Sequence, residues 1–199
     1  TAPLADVYAP PGIDIYPTLG NHDHRGDPNA QVRYREVFSR WKMPARYYEQ
    51  ALEADGKVLL RLIALDTQTL RRGDVAQLAF AKSAFERRGA AFTLAFGHHP
   101  LYAHGPHGFG EDMIEQLREP LKAAGVDVFL AGHEHTLEAT AGIDSTLHVV
   151  SGAGGGDDNP YPLQRRDATT FSSTGGGFTE IHVTAEALDF AFLKNTEQL

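Results

Sequence analysis

The stretch AFTLAFGHHP at residues 91–100 is a short apolar run that ends in Gly97 and is followed at once by two histidines. An apolar run of this length, bounded by glycine, is typical of a strand buried inside a sheet. Polar side chains placed directly after such a strand lie at its carboxyl end, where open α/β sheets bind their ligands. The stretch therefore predicts an α/β fold with a functional site at the end of this strand.

Two further stretches repeat this design. LGNHD at residues 19–23 follows the apolar run 15–19, and AGHEH at residues 131–135 follows the apolar run 126–130. The glycine in each lets the backbone turn sharply and approach a ligand closely. Strands that end in this way side by side would bring their polar residues to one point. We therefore expect four side chains from these stretches to converge on a common point: Asn21, His98, His133 and His135.

The remaining pattern alternates helices with strands early in the chain and forms hairpins late. Asp55-Gly56 joins two predicted strands, 46–54 and 57–66, as a hairpin. Asp74 is expected to cap a helix that buries Leu78, Ala81 and Phe85. Further predicted elements are a helix at 111–123, a strand at 147–151 and a closing hairpin of 177–184 with 188–193. This order predicts one layered α/β domain over residues 1–199 with mixed sheets.

Another helix is predicted to begin at Asp27, with Pro28 as its first helical residue. Apolar residues then recur at intervals of three and four, which indicates one buried helix face, and Pro44 is expected to end the helix. The residues of this predicted face are Tyr34, Val37, Phe38 and Trp41.

The composition narrows the possible functions. The chain has 199 residues, 42% hydrophobic and 22% charged, which is typical of one globular domain. Its net charge of −8 argues against a nucleic-acid-binding surface. No apolar run reaches about 18 residues, so no membrane-spanning helix is expected. The chain has no cysteine, so a metal would have to be held by histidine, asparagine or carboxylate side chains.

Two other stretches resemble known motifs but lack residues that those motifs require. His133-Glu134 does not begin a zincin helix, because residue 137 is leucine rather than histidine. The glycine-rich stretch at residues 152–156 lacks the Lys-Ser/Thr pair of a P-loop, and it is interpreted as a tight loop beneath the site.

Taken together, the motifs resemble those of the calcineurin-like metallophosphoesterase superfamily. GNHD, GHHP and GHEH occur in the order found in that superfamily. WKMPARYY at residues 41–48, ALDT at 64–67 and VSGAG at 150–154 are similar to the small, tartrate-resistant type of purple acid phosphatase. The resemblance covers nearly the whole chain, and it implies a layered α-β-β-α sandwich with two mixed sheets.

The resemblance also assigns roles to individual residues. It implies that Asn21, His98 and His133 bind one metal ion and that His135 binds a second. His22 matches the histidine that stabilises the phosphate or the leaving group, and Asp23 is expected to orient its ring. The catalytic candidates are therefore His22, Asp23 and His107. His107 matches a histidine that lies beside the metal ligands.

The other histidines are expected to have no role in the site. His99 should point away from it if strand alternation continues past Gly97. His104 is expected to be solvated. His24, His148 and His182 are interpreted as ordinary structural or surface residues.

By this resemblance the protein is a metal-dependent phosphoester hydrolase. It is expected to be an acid-phosphatase-like phosphomonoesterase that uses a hydroxide activated by two metal ions, iron paired with zinc, manganese or iron. The substrate would be a phosphorylated small molecule or phosphoprotein, with no nucleic acid or membrane as partner. The alternatives are a phosphodiesterase of the same superfamily and a non-catalytic remnant. Secretion or a periplasmic location is implied, although the chain shows no signal peptide.

The chain departs from the superfamily pattern ahead of Gly20. Two earlier motifs that carry aspartate ligands, and in purple acid phosphatases a tyrosine, are not found there. The first strand–helix–strand unit is therefore expected to be missing from this chain. The four matched ligands are all neutral, so the chain alone is expected to bind at most one divalent ion, weakly. Asp66 is interpreted as structural and Asp157 and Asp158 as solvent-facing, but these are the next candidates for an acidic ligand.

Overall fold

The computed structural model describes residues 12–155, 163 and 168–194. Its nine strands form a seven-stranded mixed sheet, in the order β1-β2-β3-β4-β6-β5-β7, and a two-stranded antiparallel sheet, β8-β9. The strands are β1 (Tyr48–Ala54), β2 (Lys57–Leu65), β3 (Phe92–Gly97), β4 (Val128–Ala131), β5 (Thr136–Thr140), β6 (Leu147–Ser151), β7 (Thr169–Thr174), β8 (Gly177–Val183) and β9 (Leu188–Lys194). The predicted α/β class with a second sheet is confirmed.

Four α-helices accompany the sheets in the described part of the chain. They are α1 (Asn29–Arg33), α2 (Thr67–Leu70), α3 (Val75–Phe85) and α4 (Glu111–Ala124). Short 3-10 turns occur at Asp23–Arg25 and Tyr34–Glu36. Among these described helices, none is long and apolar enough to cross a bilayer.

The hairpin predicted at Asp55-Gly56 is confirmed. Asp55 and Gly56 both have positive φ, 52° and 72°, as a two-residue turn of the mirror-image type requires. Ala54 pairs with Lys57 across the turn, and β1 and β2 run antiparallel from there. The predicted cap of α3 is also present, since the carboxylate of Asp74 accepts a hydrogen bond from the backbone N–H of Gln77 at 3.0 Å.

The centre of the large sheet is parallel, and this arrangement creates the site. β2, β3, β4 and β6 run in the same direction. Leu65 pairs with Gly97, and Phe96 pairs with Leu130, so neighbouring strands end at nearly the same level. The chain therefore leaves β2, β3 and β4 side by side, at one edge of the sheet.

Each face of the large sheet has its own hydrophobic core. On one face, α3 and α4 bury Phe85, Leu117 and Leu121 with residues of the strands. On the other, Leu19 and Met43 are fully buried with β1 and β3, and side chains of β8 and β9 pack against them. Because a fully buried large apolar side chain contributes about 1.5–3 kcal/mol, these two cores hold the strand ends in place.

Two predictions about local structure are wrong, and two strands were not anticipated. The helix expected from Asp27 is only the five-residue α1, and Val37 of its predicted apolar face is 79% exposed. Residues 15–19 are extended but form no strand; Ile15 makes a single bridge to Trp41. The strands β5 and β7 were not predicted, and they complete the large sheet through antiparallel pairing.

Candidate metal centre

Two hydrogen bonds hold the first of the three motif loops, one to the end of β2 and one to the start of β1. The hydroxyl of Thr18 donates to the carbonyl of Leu65 at 2.7 Å, and that of Tyr48 donates to the carbonyl of Pro17 at 2.7 Å. These bonds place the first loop beside the end of β2, and it presents Asn21 at the same edge as the loops after β3 and β4.

Three predicted site residues meet at this edge. Nε2 of His98 lies 2.8 Å from Oδ1 of Asn21 and 3.1 Å from Nδ1 of His133. All three residues are partly exposed, so the cluster can be reached from solvent. Three neutral donor atoms, one oxygen and two nitrogens, thus face one another at an accessible point.

His133 reaches this point through an unusual backbone conformation. Its φ is +69°, and the N–H of Glu134 donates to the carbonyl of Gly132 at 2.8 Å, which closes a tight γ-turn around the histidine. A side chain in the left-handed region costs on the order of 1 kcal/mol or more and is often found at functional sites. The N–H of Gly132 also donates to the carbonyl of His98 at 3.0 Å, so the two loops are joined.

His99 belongs to the cluster, contrary to the prediction that it points away. Its ring centroid lies 4.9 Å from that of His98 and 4.6 Å from that of His133. One nitrogen from each of these three rings lies within 4.8 Å of the others, a spacing that could hold a metal ion. Strand alternation does not apply here, because β3 ends at Gly97 and both histidines lie beyond it.

Thr67 at the start of α2 fixes the orientation of His99. Its Oγ1 lies 2.8 Å from Nδ1 of His99 and accepts a hydrogen bond from the backbone N–H of His99 at 3.0 Å. A Cβ at residue 97 would collide with the side chain of Thr67, so Gly97 allows the two loops to come this close. Gly97 is therefore needed for close packing against Thr67 as well as for the turn.

His98, His99 and His133 favour their neutral forms. Burial is the main cause, and neighbouring histidines add to it: the pKa of His99 falls to about 3 and that of His133 to about 4. Burial also lowers the pKa of His98. Neutral imidazole is the form that binds a metal ion, so the ligand nitrogens are available at neutral pH.

The expectation that Asp23 orients the ring of His22 is wrong. Its carboxylate accepts hydrogen bonds from the backbone N–H of Gly20 at 2.8 Å and from the side chain of Gln31 at 3.0 Å. Asp23 therefore closes the turn that presents Asn21. His22 is exposed at the surface of this loop.

A buried acid–histidine pair, not anticipated from the sequence, lies beneath this loop. Nε2 of His24 is 2.8 Å from one oxygen of Asp66 and 3.0 Å from the other, and the Asp66 side chain is fully buried. Asp66 also accepts a hydrogen bond from the N–H of Thr69 in α2. Asp66 is structural, as predicted, but His24 takes part in the site by tying the first loop to the end of β2.

Two glutamates, Glu134 and Glu138, hold the loop that carries the remaining histidines. One oxygen of Glu134 accepts from the N–H of His107 at 2.9 Å and lies 3.1 Å from its Nδ1. One oxygen of Glu138 accepts from the N–H of His104 at 2.8 Å and lies 2.7 Å from its Nδ1. The prediction that His104 is solvated is wrong, because it is 1% exposed.

His107 and His135 lie at the exposed rim of the cluster. The ring centroid of His107 is 4.4 Å from that of His133. His135 is exposed but close enough for its charge to act on both His98 and His133. The glycine-rich stretch begins beneath the site, where a Cβ at residue 152 would collide with the backbone of Glu134. Asp157 and Asp158 lie outside the described residues.

Comparison with known sequences gives a consistent result. A profile of the calcineurin-like phosphoesterase family matches residues 2–137. Tartrate-resistant acid phosphatase type 5 of Rattus norvegicus is 27% identical over 92% of the chain, which corresponds to 63% of that relative. Purple acid phosphatase 17 of Arabidopsis thaliana is 28% identical over 95% of the chain and 63% of its own length. The chain thus spans less than two thirds of the length of these relatives.

Solved structures show the same fold at low sequence identity. The GAP50 anchor of the inner membrane complex of Plasmodium superposes with a TM-score of 0.79 and 21% identity, over 95% of this chain and 65% of its own. A purple acid phosphatase from yellow lupin seeds superposes with a TM-score of 0.65 and 20% identity, over 90% of this chain and 36% of its own. These likenesses show the fold alone.

Proposed function

The chain belongs to the calcineurin-like phosphoesterase family, and on that premise we propose that it forms the histidine-rich part of a metal-dependent phosphomonoesterase of the acid-phosphatase type. The observation that carries the proposal is the meeting of Asn21, His98 and His133 at the ends of β3 and β4. The proposed substrates are phosphorylated small molecules or phosphoproteins.

The spacing of the three donor atoms suits a metal ion. Nitrogen and oxygen ligands lie about 2.0–2.2 Å from zinc, so two ligands at right angles around such an ion are about 3 Å apart. The observed separations of 2.8 and 3.1 Å agree with that value. The donor set also fits, because imidazole and amide oxygen suit iron, zinc and manganese. We propose these three residues as ligands of one ion and His135 as a ligand of a second.

When bound, such ions would neutralise phosphate charge and lower the pKa of a coordinated water towards neutrality. The residues of this chain then have distinct tasks. The γ-turn at His133 and the bond between Gly132 and His98 hold the two imidazoles in a fixed geometry. Glu134 accepts a hydrogen bond from Nδ1–H of His107. In the imidazolium form of His107 the second N–H, at Nε2, would donate its proton to the leaving oxygen, and the ring would return to its neutral form with Nδ1–H still bound to Glu134. His22, exposed beside Asn21, is the residue proposed to stabilise the phosphate or the leaving group.

Hydrolysis of two aryl esters by the purified full-length protein tests this proposal. We expect the metal-loaded protein to hydrolyse p-nitrophenyl phosphate faster than bis(p-nitrophenyl) phosphate. His98→Ala should lower the rate by at least about 100-fold, the upper end of losses seen when a metal site is disturbed. His182→Ala is the matched control, because His182 lies on β8, away from the site.

The outcomes separate the alternatives. A faster diesterase rate would identify a phosphodiesterase. Loss of activity in both variants, or in neither, would contradict the assignment of His98. A protein that binds metal and hydrolyses neither ester would be a non-catalytic member of the family. Elemental analysis of the same sample identifies the metals, for which we propose iron with zinc, manganese or iron.

We also propose export of the protein from the cytoplasm, as expected from its resemblance to the small purple acid phosphatases. Fractionation of the cells that produce it tests this directly. Recovery of the protein in the medium or the periplasmic fraction supports export, whereas recovery with a cytoplasmic marker contradicts it.

A further inference from the structure

A small cavity opens beside the histidine cluster. It has a volume of about 40 Å³, roughly three to four times the 10–15 Å³ that a single water needs. Its wall is formed by the residue that follows α2, by the loops after β3 and β4 and by the loop before α4. The side chains that matter here are Arg71, His99, His107, Phe109 and His133. The cavity therefore has room for a few heavy atoms, such as a carboxylate or a phosphoryl group, but not for a sugar ring.

Arg71 is the cationic side chain in this wall, and the fold fixes its position. Its backbone N–H donates to the carbonyl of Thr67 at 3.0 Å, so Arg71 directly follows the turn that holds His99. Its Nε donates to Oδ2 of Asp112 at 2.7 Å, at the start of α4. The ion pair therefore joins the two walls of the cavity.

The contact with Asp112 uses only one edge of the guanidinium. Within the described residues, the two terminal nitrogens of Arg71 make no further hydrogen bond. Arg71 and Asp112 are 38% and 36% exposed, and exposed pairs of this kind contribute little to stability. The pair thus orients the guanidinium and leaves its terminal N–H groups for an anion, which a guanidinium binds through two parallel hydrogen bonds.

Arg71 lies beside the histidine cluster. It lines the same cavity as His99, His107 and His133. A group bound at the cluster and a group bound by Arg71 would therefore lie in the same small site.

We propose that Arg71 selects phosphate esters whose alcohol part carries a second anionic group, a carboxylate or phosphate a few bonds from the ester oxygen. This inference rests on the proposed function, because it places the transferred phosphate at the histidine cluster. The second group then occupies the cavity and pairs with the terminal nitrogens of Arg71. A neutral leaving group gains nothing from this contact.

Two non-hydrolysable probes test the proposal on the full-length, metal-loaded protein. Phosphonoacetate carries a carboxylate beside the phosphonate, whereas ethylphosphonate is of similar size and lacks it. Their dissociation constants are measured by calorimetry for the wild type, Arg71→Gln, Arg71→Lys and Arg72→Gln. Arg72 is the matched control, because it is the adjacent exposed arginine and does not line the cavity.

We expect the wild type and Arg72→Gln to prefer phosphonoacetate by about tenfold or more, the effect of a hydrogen-bonded charge. Arg71→Gln should lose most of this preference and Arg71→Lys part of it. An unchanged preference in Arg71→Gln would overturn the proposal and assign the carboxylate to the metal. Equal weakening of both probes would also overturn it, since Arg71 would then bind the transferred phosphate. Hydrolysis of p-nitrophenyl phosphate by the wild type tests the proposed function separately.

Discussion

The same acid–histidine anchor occurs twice, three residues apart on one loop, with different surroundings. In each case one glutamate oxygen faces both the backbone N–H and Nδ1 of a histidine. His104 and Glu138 are fully buried, and hydroxyls of Thr169 and Thr136 complete their contacts. His107 is 60% exposed, and its ring lies over His133. The closed pair, His104 with Glu138, is buried and holds the loop. The open pair, His107 with Glu134, holds the loop as well but leaves the histidine ring accessible.

The largest effect should follow from breaking the closed pair. His104→Ala leaves the carboxylate of Glu138 buried without its main partner, so we expect the free energy of unfolding to fall by about 3–5 kcal/mol. Urea denaturation followed by circular dichroism measures this change. His182→Ala, on the exposed hairpin, should change it by less than about 0.5 kcal/mol. If the free energy of unfolding of His104→Ala fell by less than about 1 kcal/mol, the structural role assigned to this pair would be contradicted.

Removing the exposed ring should affect turnover instead. For His107→Ala we expect a 10–100-fold fall in kcat, as for residues next to metal ligands, with metal content unchanged. The free energy of unfolding should fall by about 1 kcal/mol or less, because the backbone bond to Glu134 remains. Kinetics and elemental analysis on one sample decide between the roles. Parallel loss of metal and turnover would make His107 a ligand.

A smaller effect is expected from weakening the acid of the open pair. Glu134→Gln keeps the size of the side chain but replaces its charge, so kcat should fall less than in His107→Ala. If Glu134 acts through His107, the double variant should be no slower than His107→Ala, because the two residues are coupled. Effects that simply multiply in the double variant would show that they act independently.

A third acid–histidine pair, His148 with Asp144, should make the stability of the fold depend on pH. Nε2 of His148 lies 3.2 Å from Oδ1 of Asp144, and both side chains are buried. Burial outweighs Asp144 and lowers the pKa of His148 below its ordinary value near 6.5. As the pH falls below that value, the unfolded chain takes up the proton first, so the folded state loses stability.

The loss attributed to His148 should therefore appear below about pH 6.5 and amount to at most about 1.4 kcal/mol per pH unit. Unfolding curves of wild type and His148→Gln, recorded from pH 7.5 to 5.0 at one metal concentration, measure it. The variant should show the shallower fall in stability. Curves that run parallel would show that His148 does not titrate with unfolding in this range.

Local signals in the sequence were sufficient for several elements. Asp55-Gly56 defines its turn by backbone preference alone, and Asp74 caps α3 through a residue three positions away. The glycine-then-histidine motifs predicted the edge where Asn21, His98 and His133 meet. In the first two cases the residues that determine the structure are close together in the sequence. In the third, the same motif recurs after successive apolar segments.

Interactions between distant residues could not be predicted in this way. All five residues of β5 are buried, including Glu138, whose partner His104 lies 34 positions earlier. A buried glutamate in a strand is interpretable only once that partner is known. His24 and Asp66 are 42 positions apart, and His99 was misplaced because strand alternation was extended past Gly97.

The central claim is that Asn21, His98 and His133 together bind a metal ion. Anomalous diffraction from crystals of the full-length protein grown with zinc locates such an ion directly. We predict a peak bonded to Oδ1 of Asn21, Nε2 of His98 and Nδ1 of His133, at about 2.0–2.2 Å from each. A peak held by other residues, or crystals that bind no ion at this edge of the sheet, would contradict the account.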